Sequence, residues 1–259
     1  MTTIRAEHIS ISYSSRRGGR KIVNDFNLDV KKGELIAIIG SNGVGKSSLL
    51  RVLSGLQKPG SGEVFWEGKS LSSIPLRSRP KYVSNLFSNY ARVDGFSVFD
   101  LVALGRQPYT GMFGKLKPED EEVVRVSLEK VGMTSFSKSP IGTLSDGEFR
   151  KVMLAKMLAQ NSPVMILDEP TTHLDLPSSI EFLKLLKTLA RDEEKTILLS
   201  SHNISLIFKM ADKIVLLADT GAHFSGKPQE VANHKLMCGF LKTPDVYFEN
   251  ENLIFNPKP

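Results

Sequence analysis

Apolar residues in this chain fall into short runs with two distinct periods. Ile4 to Tyr13 alternates in part between apolar and polar positions, which predicts a strand with one face buried. Arg16-Arg-Gly-Gly19 and Lys32-Gly33 read as turns around it. Leu35-Ile-Ala-Ile-Ile39 has no polar position and predicts a strand buried on both faces. Ser47-Ser-Leu-Leu-Arg-Val-Leu53 follows with helical spacing, Lys58-Pro-Gly-Ser-Gly62 breaks the chain, and Glu63-Val-Phe-Trp66 reads as a short strand in which Trp66 packs. From about residue 90 to 160 the pattern turns helical. Val124, Leu128 and Val131 share one face of a helix from Glu119, with carboxylates in its first turn and Gly132 as its stop. Gly105 to Gly114 is loop-like. From Val164 onward strands and helices alternate: Val164–Leu167, then a helix over Ser178–Ala190, a strand over Thr196–Ser200, a helix over Asn203–Met210, and a strand over Lys213–Leu217. This is the rhythm of a parallel sheet with crossover helices. The expected fold is α/β, with a mostly parallel core, an antiparallel β subdomain at the N-terminus and an inserted α-helical subdomain. Residues 1–241 form the main unit. The tail, 242–259, holds Val246-Tyr-Phe248 and Leu253-Ile-Phe255, a small hairpin around Asn250-Glu-Asn252.

The junction between the first buried strand and its helix carries the clearest chemistry. Gly40-Ser41-Asn42-Gly43-Val44-Gly45-Lys46-Ser47-Ser48 fits G-x-x-x-x-G-K-[ST], the phosphate-binding loop of nucleotide hydrolases. A loop between a strand and a helix N-terminus gathers backbone N–H groups around one point, and its glycines allow a phosphate to approach closely. Lys46 is expected to reach the β- and γ-phosphates, and the Ser47 hydroxyl to hold Mg²⁺. A second stretch, Val164-Met-Ile-Leu-Asp168-Glu169, ends an apolar strand in two carboxylates. A strand leaving its sheet there would bring Asp168 to the Mg²⁺ shell and Glu169 beside a water aimed at the γ-phosphate. Alone, such an ending is also an ordinary solvated strand end.

Three further stretches narrow the class. Leu144-Ser-Asp-Gly-Glu148 lies about 20 residues before Asp168, Thr172-His-Leu-Asp175 follows Glu169, and Ser201-His202 ends the next strand. At these spacings the chain resembles the ATP-binding-cassette (ABC) ATPases, from roughly Ile4 to Phe240. The resemblance implies ATP and Mg²⁺ as ligands and a head-to-tail dimer of two copies. ATP then lies between the phosphate loop of one copy and Ser145 and Gly147 of the other. It further implies that His202 contacts the γ-phosphate beside Glu169, that Asp175 bridges towards the partner's phosphate loop, and that Tyr13 stacks on adenine. Tyr13 also reads as a core or edge-strand tyrosine, and Ser145 with Glu148 as a helix capping box. The family signature is usually Leu-Ser-Gly-Gly-Gln, so Asp146 and Glu148 depart from it. A Gln normally follows a short strand before the helical insert. With that strand set at Lys81–Ser84, Asn85 takes its place as a ligand reaching Mg²⁺ through water, with Asn89 as a weaker substitute.

Val98-Phe-Asp-Leu-Val-Ala-Leu-Gly-Arg106 followed by Pro108-Tyr109 resembles the stretch that marks cassettes of iron-siderophore, haem and cobalamin importers. That resemblance implies a permease dimer as partner, docking over Phe87 to Tyr109, and indirectly a substrate-binding protein. Bulk properties fit this. The chain has 259 residues, 41% hydrophobic and 24% charged, as in an ordinary soluble domain. Its apolar runs stop far short of a membrane span, and Met1-Thr-Thr-Ile-Arg-Ala6 lacks the apolar core of a secretory signal. The single Cys238 excludes an internal disulfide, suits a reducing compartment and is expected as an inert, partly packed thiol. The net charge of +6 is scattered rather than concentrated, so no nucleic-acid partner is expected. The expected location is the cytoplasmic face of the cell membrane, held peripherally. Two other readings stay open at this point: the non-transport ATPase of an iron–sulfur assembly scaffold, and a basic regulatory module that uses nucleotide only as a switch.

Overall fold

A computed structural model describes residues 2–13, 20–87, 95–111, 114–241, 245–249 and 252–255. Among these residues two main sheets carry the fold. The first is antiparallel, in the order β2 (Arg20–Lys31), β1 (Thr2–Tyr13), β4 (Ser61–Trp66), β5 (Lys69–Ser70). The second has the order β10 (His223–Gly226), β9 (Lys213–Leu217), β3 (Leu35–Gly40), β8 (Thr196–Ser200), β7 (Val164–Leu167), β6 (Val83–Leu86). All its pairings are parallel except the edge pair β9–β10. Helices α1 (Lys46–Leu53), α2 (Val98–Ala103), α3 (Pro118–Lys130), α4 (Asp146–Ala159), α5 (Leu176–Asp192), α6 (Ile204–Met210), α7 (Pro228–Ala232) and α8 (Lys235–Leu241) complete it. None of them is long and apolar enough to cross a membrane.

The strand β3 shows why the core has two compartments. Its six residues are all buried, and their side chains alternate between sheet faces. Ile36 and Ile38 join a cluster with Leu49, Leu50 and Leu53 of α1 and with Ile4, Phe26 and Trp66 of the antiparallel sheet. Leu35, Ala37 and Ile39 join the other cluster, where α2, α3, α4, α5 and α6 pack. The parallel sheet is thus covered on both sides, as a run of Ile, Leu and Val without polar breaks requires. Trp66 is buried, and its Nε1–H donates to the Leu53 carbonyl at 3.0 Å, fixing the end of α1 against β4.

Besides their apolar packing, a buried polar knot ties the inserted helices to one another and to the core. Arg106 donates through Nε to Asp120 Oδ1 at 2.9 Å and through Nη1 to the Ala159 carbonyl at 2.8 Å. The Lys117 N–H and the Arg106 guanidinium hold the Asp120 carboxyl below its ordinary pKa. The Tyr109 hydroxyl donates to the Gln160 carbonyl at 3.0 Å, and the Gln160 amide donates to the carbonyls of Pro80 and Val83. At Gly105 any Cβ would stand 2.3 Å from the Lys156 carbonyl oxygen, so only glycine lets this turn press against α4. The stretch from Gly105, expected as a loop, begins as a 3₁₀ turn, Leu104–Arg106, in which Gly105 and Arg106 are buried.

Two further expectations are corrected, and one element was not foreseen. The strand set at Lys81–Ser84 starts later, because Leu76–Lys81 is a 3₁₀ helix containing Pro80; β6 runs from Val83. Cys238 is exposed, not packed, on the outer side of the short α8. The edge strand β10 adds an antiparallel pairing to the core that hydropathy did not reveal. Beyond α8, β11 (Val246–Glu249) and β12 (Asn252–Phe255) pair antiparallel, and Phe248 lies 4.2 Å, ring centre to ring centre, from Phe208 of α6. The turn expected at Arg16–Gly19 lies outside the described residues.

Candidate active site

Strand β3 ends at Gly40, and the chain wraps through residues 41–45 into α1. Gly45 adopts φ 114°, and a Cβ there would stand 1.9 Å from Ile22 Cγ2. A side chain at this position is therefore excluded twice, by backbone conformation and by space. Helix α1 has no side-chain cap and no acidic residue in its first turn. A cleft of about 590 Å³ opens in front of it, lined by Ile22, Asn42, Gly43, Gly45, Lys46, Ser47, Ser48, Glu169 and His202. That size suits a small-molecule ligand.

Lys46 is 5% exposed and donates to the carbonyls of Gly40 and Ser41 at 3.0 and 3.1 Å. Burial lowers its pKa, against the opposing pull of the Glu169 and Asp168 carboxylates. Val44 packs into the core, so the loop presents backbone rather than its side chain. Asp168 is buried, and its Oδ1 accepts a hydrogen bond of 2.6 Å from the Ser200 hydroxyl. Ser200 in turn accepts from the Glu169 N–H at 2.8 Å. Glu169 has φ 50°, a left-handed conformation that a glutamate adopts only when its surroundings enforce it. Its Oε1 meets His202 Nε2, and its Oε2 accepts from the Thr172 hydroxyl at 3.3 Å. Lys46, Ser47, Ser48, Glu169 and His202 thus converge on one cleft, with Asp168 beneath it.

A second group lies apart from that cleft. Ser145 caps α4: its Oγ accepts from the Glu148 N–H at 3.3 Å, while Glu148 Oε2 accepts from the Ser145 N–H at 2.8 Å and the Ser145 hydroxyl at 2.7 Å. The Ser145 hydroxyl and N–H hold the Glu148 carboxyl below its ordinary pKa. At Gly147 the nearest atom to a notional Cβ is Leu174 Cδ2, at 3.9 Å, so this surface is open. Asp175 caps α5 by accepting from the Ser178 N–H at 2.9 Å, and hydrogen bonds from the Ser178 hydroxyl and N–H lower its pKa. Ser145, Gly147 and Asp175 do not line the phosphate-loop cleft of their own chain.

The backbone setting of Asn85 differs from the expected one. Asn85 sits inside β6, opposite Ile166, two residues short of the level of Asp168. It does not follow the strand and does not line the cleft; its Oδ1 is buried without a hydrogen-bond partner. Asn89 lies outside the described residues. Tyr13 ends β1, and its side chain likewise lies outside them. Ser200 is the functional-site residue that sequence reasoning missed. A serine closing an apolar strand carries no motif, and only the register of β8 beside β7 shows what it touches.

The family profile described as ABC transporter matches residues 23–172, more than half of the chain. The chain belongs to the ABC transporter family. It is an ATP-binding ABC ATPase. The petrobactin import ATP-binding protein FpuD of Bacillus anthracis is 35% identical over 234 residues, covering 90% of this chain and 84% of that protein. The iron(3+)-hydroxamate import ATP-binding protein FhuC of Bacillus subtilis is 33% identical over 217 residues, covering 84% and 79%. A bacterial ABC transporter cassette, MJ0796, whose structure is dimeric, matches with TM-score 0.76 at 24% identity over 87% of this chain and 98% of that one. At that identity the structural likeness speaks to the fold. The ABC fold explains the α/β core, the antiparallel lobe and the helical insert together.

Proposed function

We propose that this chain is the ATP-hydrolysing subunit of an ABC importer for an iron-siderophore, haem or cobalamin, working as a head-to-tail homodimer on a permease dimer. One observation carries the reading. Lys46, Glu169 and His202 share a cleft, while Ser145, Gly147 and Asp175 stand on a different surface of the same chain. A second copy turned head to tail would supply the missing wall, and MJ0796, a cassette of the same fold, is dimeric. The import functions in the names of FpuD and FhuC support the cargo class.

The residues then divide the work. The backbone of residues 40–48 cradles the phosphates, and Lys46 exchanges its carbonyl partners for charged phosphate oxygens, a stronger type of hydrogen bond. Glu169 orients the water that attacks the γ-phosphate, and His202, bonded to Glu169, fixes that carboxylate and faces the same phosphate. Asp168 and Ser47 offer the hard oxygen donors that Mg²⁺ prefers, and Asp168 is already buried and oriented. When bound, Mg²⁺ neutralises the charge of the phosphates. Ser145 and Gly147 of the opposite copy complete the γ-phosphate contacts, so ATP favours the closed dimer. Tyr13 stacks on adenine. Phe87 to Tyr109 contribute to the permease-docking surface; residues 88–94 lie outside the described residues, and in the rest Leu104 and Tyr109 are exposed while Arg106 is committed internally. The chain then lies on the cytoplasmic face of the membrane, with a substrate-binding protein acting on the permease's far side, and residues 1–241 are the working cassette.

Deleting this reading frame tests the assignment. Uptake of one class among ferric siderophores, haem and cobalamin is expected to stop and to return with the wild-type gene. Unchanged uptake of all three would remove the import reading while leaving the ATPase intact.

A further inference from the structure

We propose that Ser200 is a positioning residue that sets both carboxylates of the hydrolytic site, Asp168 for the cation and Glu169 for the water. The inference rests on the roles proposed for those two residues above, and it adds a third residue that no motif contains.

Ser200 is completely buried at the end of β8, on the strand beside β7. A serine hydroxyl has one proton and two lone pairs. Here the proton goes to Asp168 Oδ1 at 2.6 Å, and a lone pair receives the Glu169 N–H at 2.8 Å. One oxygen atom thus fixes two consecutive residues that point to different tasks. The bond to Oδ1 fixes the rotation of the Asp168 carboxylate and leaves its second oxygen for a cation. The bond from Glu169 holds a backbone that sits at φ 50°, a conformation without intrinsic support in a glutamate. With that N–H anchored, the side chain is delivered to His202 and Thr172. An aliphatic residue at position 200 would fit the buried strand Thr-Ile-Leu-Leu, but would leave a buried carboxylate oxygen and a half-buried N–H without these partners. The hydroxyl is therefore placed for orientation, not for packing.

The consequence differs for the two carboxylates. Loss of the hydroxyl loosens cation binding through Asp168 and slows the chemical step through Glu169. It does not touch the loop glycines or Lys46, which bind the phosphates.

The test uses the full chain with Ser200→Ala and Ser200→Thr. Mn²⁺ binding to the ATP-loaded chain is titrated by electron paramagnetic resonance, ATP binding is measured with cation chelated, and kcat and KM are measured with excess Mg²⁺. Partners of metal ligands typically contribute ten- to hundredfold, so Ser200→Ala is expected to weaken Mn²⁺ binding about tenfold and to lower kcat about tenfold. ATP binding without cation should stay within about twofold, and Ser200→Thr, which keeps the hydroxyl, should recover most of both losses. Should Ser200→Ala fold poorly, Ser200→Cys keeps the volume with a weak donor and is expected to show the same split. Wild-type Mn²⁺ affinity and kcat in Ser200→Ala, or equal losses in the Ala and Thr variants, would overturn the proposal. A wild-type chain that binds ATP without hydrolysing it would instead remove the hydrolytic reading, and the Mn²⁺ titration would still decide whether Ser200 orients Asp168.

Discussion

The chain contains two helix N-termini assigned to phosphate, and they are built in opposite ways. Helix α1 begins at Gly45 with no side-chain cap and no carboxylate in its first turn. Helix α4 begins at Ser145 with a closed capping box, and Asp146 and Glu148 stand in its first turn. Both ends carry the partial positive charge of aligned peptide dipoles. At α1 that charge and the backbone N–H groups face a cleft, and no carboxylate from the helix's own first turn competes with an anion there. At α4 the chain has already answered its own helix end with a carboxylate. A phosphate arriving there must displace the Glu148 interaction with the Ser145 hydroxyl and approach two negative charges. The contrast separates binding from closure. On the dimer proposed above, the α1 end would hold ATP in a single copy and the α4 end would engage it only conditionally, which suits an assembly that must reopen each cycle.

That contrast can be broken most severely at the α1 end. Lys46→Ala should lower turnover about a thousandfold, the upper range for losing one charge-stabilising donor, and should weaken ATP binding by the isolated chain in equilibrium dialysis. Glu169→Gln should come next. Turnover falls roughly a hundredfold or more while ATP binding persists, so ATP-dependent dimers accumulate on gel filtration. Near-normal turnover in that variant would remove Glu169 from its role. At the α4 end effects are smaller and fall on dimerisation. Ser145→Ala should cost about 1 kcal/mol of stability by thermal melt, as loss of an N-cap usually does, and should weaken ATP-driven dimers while leaving ATP binding to single chains unchanged. The mildest change is Glu148→Gln. The capping box survives in Gln, but one repelling charge is gone, so ATP-driven dimerisation should tighten about threefold. Its pH dependence sharpens the point. Because Ser145 depresses the Glu148 pKa, the cap stabilises α4 above the ordinary glutamate value of 4.5 and loses that contribution as pH falls through the lowered value. Glu148→Gln should therefore flatten the acid limb of a pH–melting curve, and an identical curve would show that the capping carboxylate contributes nothing.

The two ends also differ in how well they could be read in advance. The phosphate loop is continuous in sequence and was legible whole, as were β3, β7, β8 and β9, because strands buried on both faces leave unbroken apolar runs. The capping box at Ser145 was legible for the same reason: both partners lie within one helical turn. What escaped was set by register between distant strands. Ser200 touches Asp168 across a separation of 32 residues. The strand holding Asn85 was set too early because a 3₁₀ helix takes up Lys81, so β6 starts at Val83. Arg106 looked like part of a docking loop, and only its pairing with Asp120 of α3 reveals it as buried.

Gln160 gives α4 a mechanical role. The helix is a stiff rod of 14 residues, about 21 Å long at 1.5 Å per residue, with Ser145 at its N-terminal tip and Gln160 bolted to the carbonyls of Pro80 and Val83. Were the helix to turn about that anchor together with the α2 and α3 packed on it, about 10° would carry the tip nearly 4 Å, on the order of the reach of one hydrogen bond. The anchor lies at Pro80 and at Val83, where β6 begins, so under the proposed docking a push delivered beside β6 would reach the partner's nucleotide as a swing of Ser145.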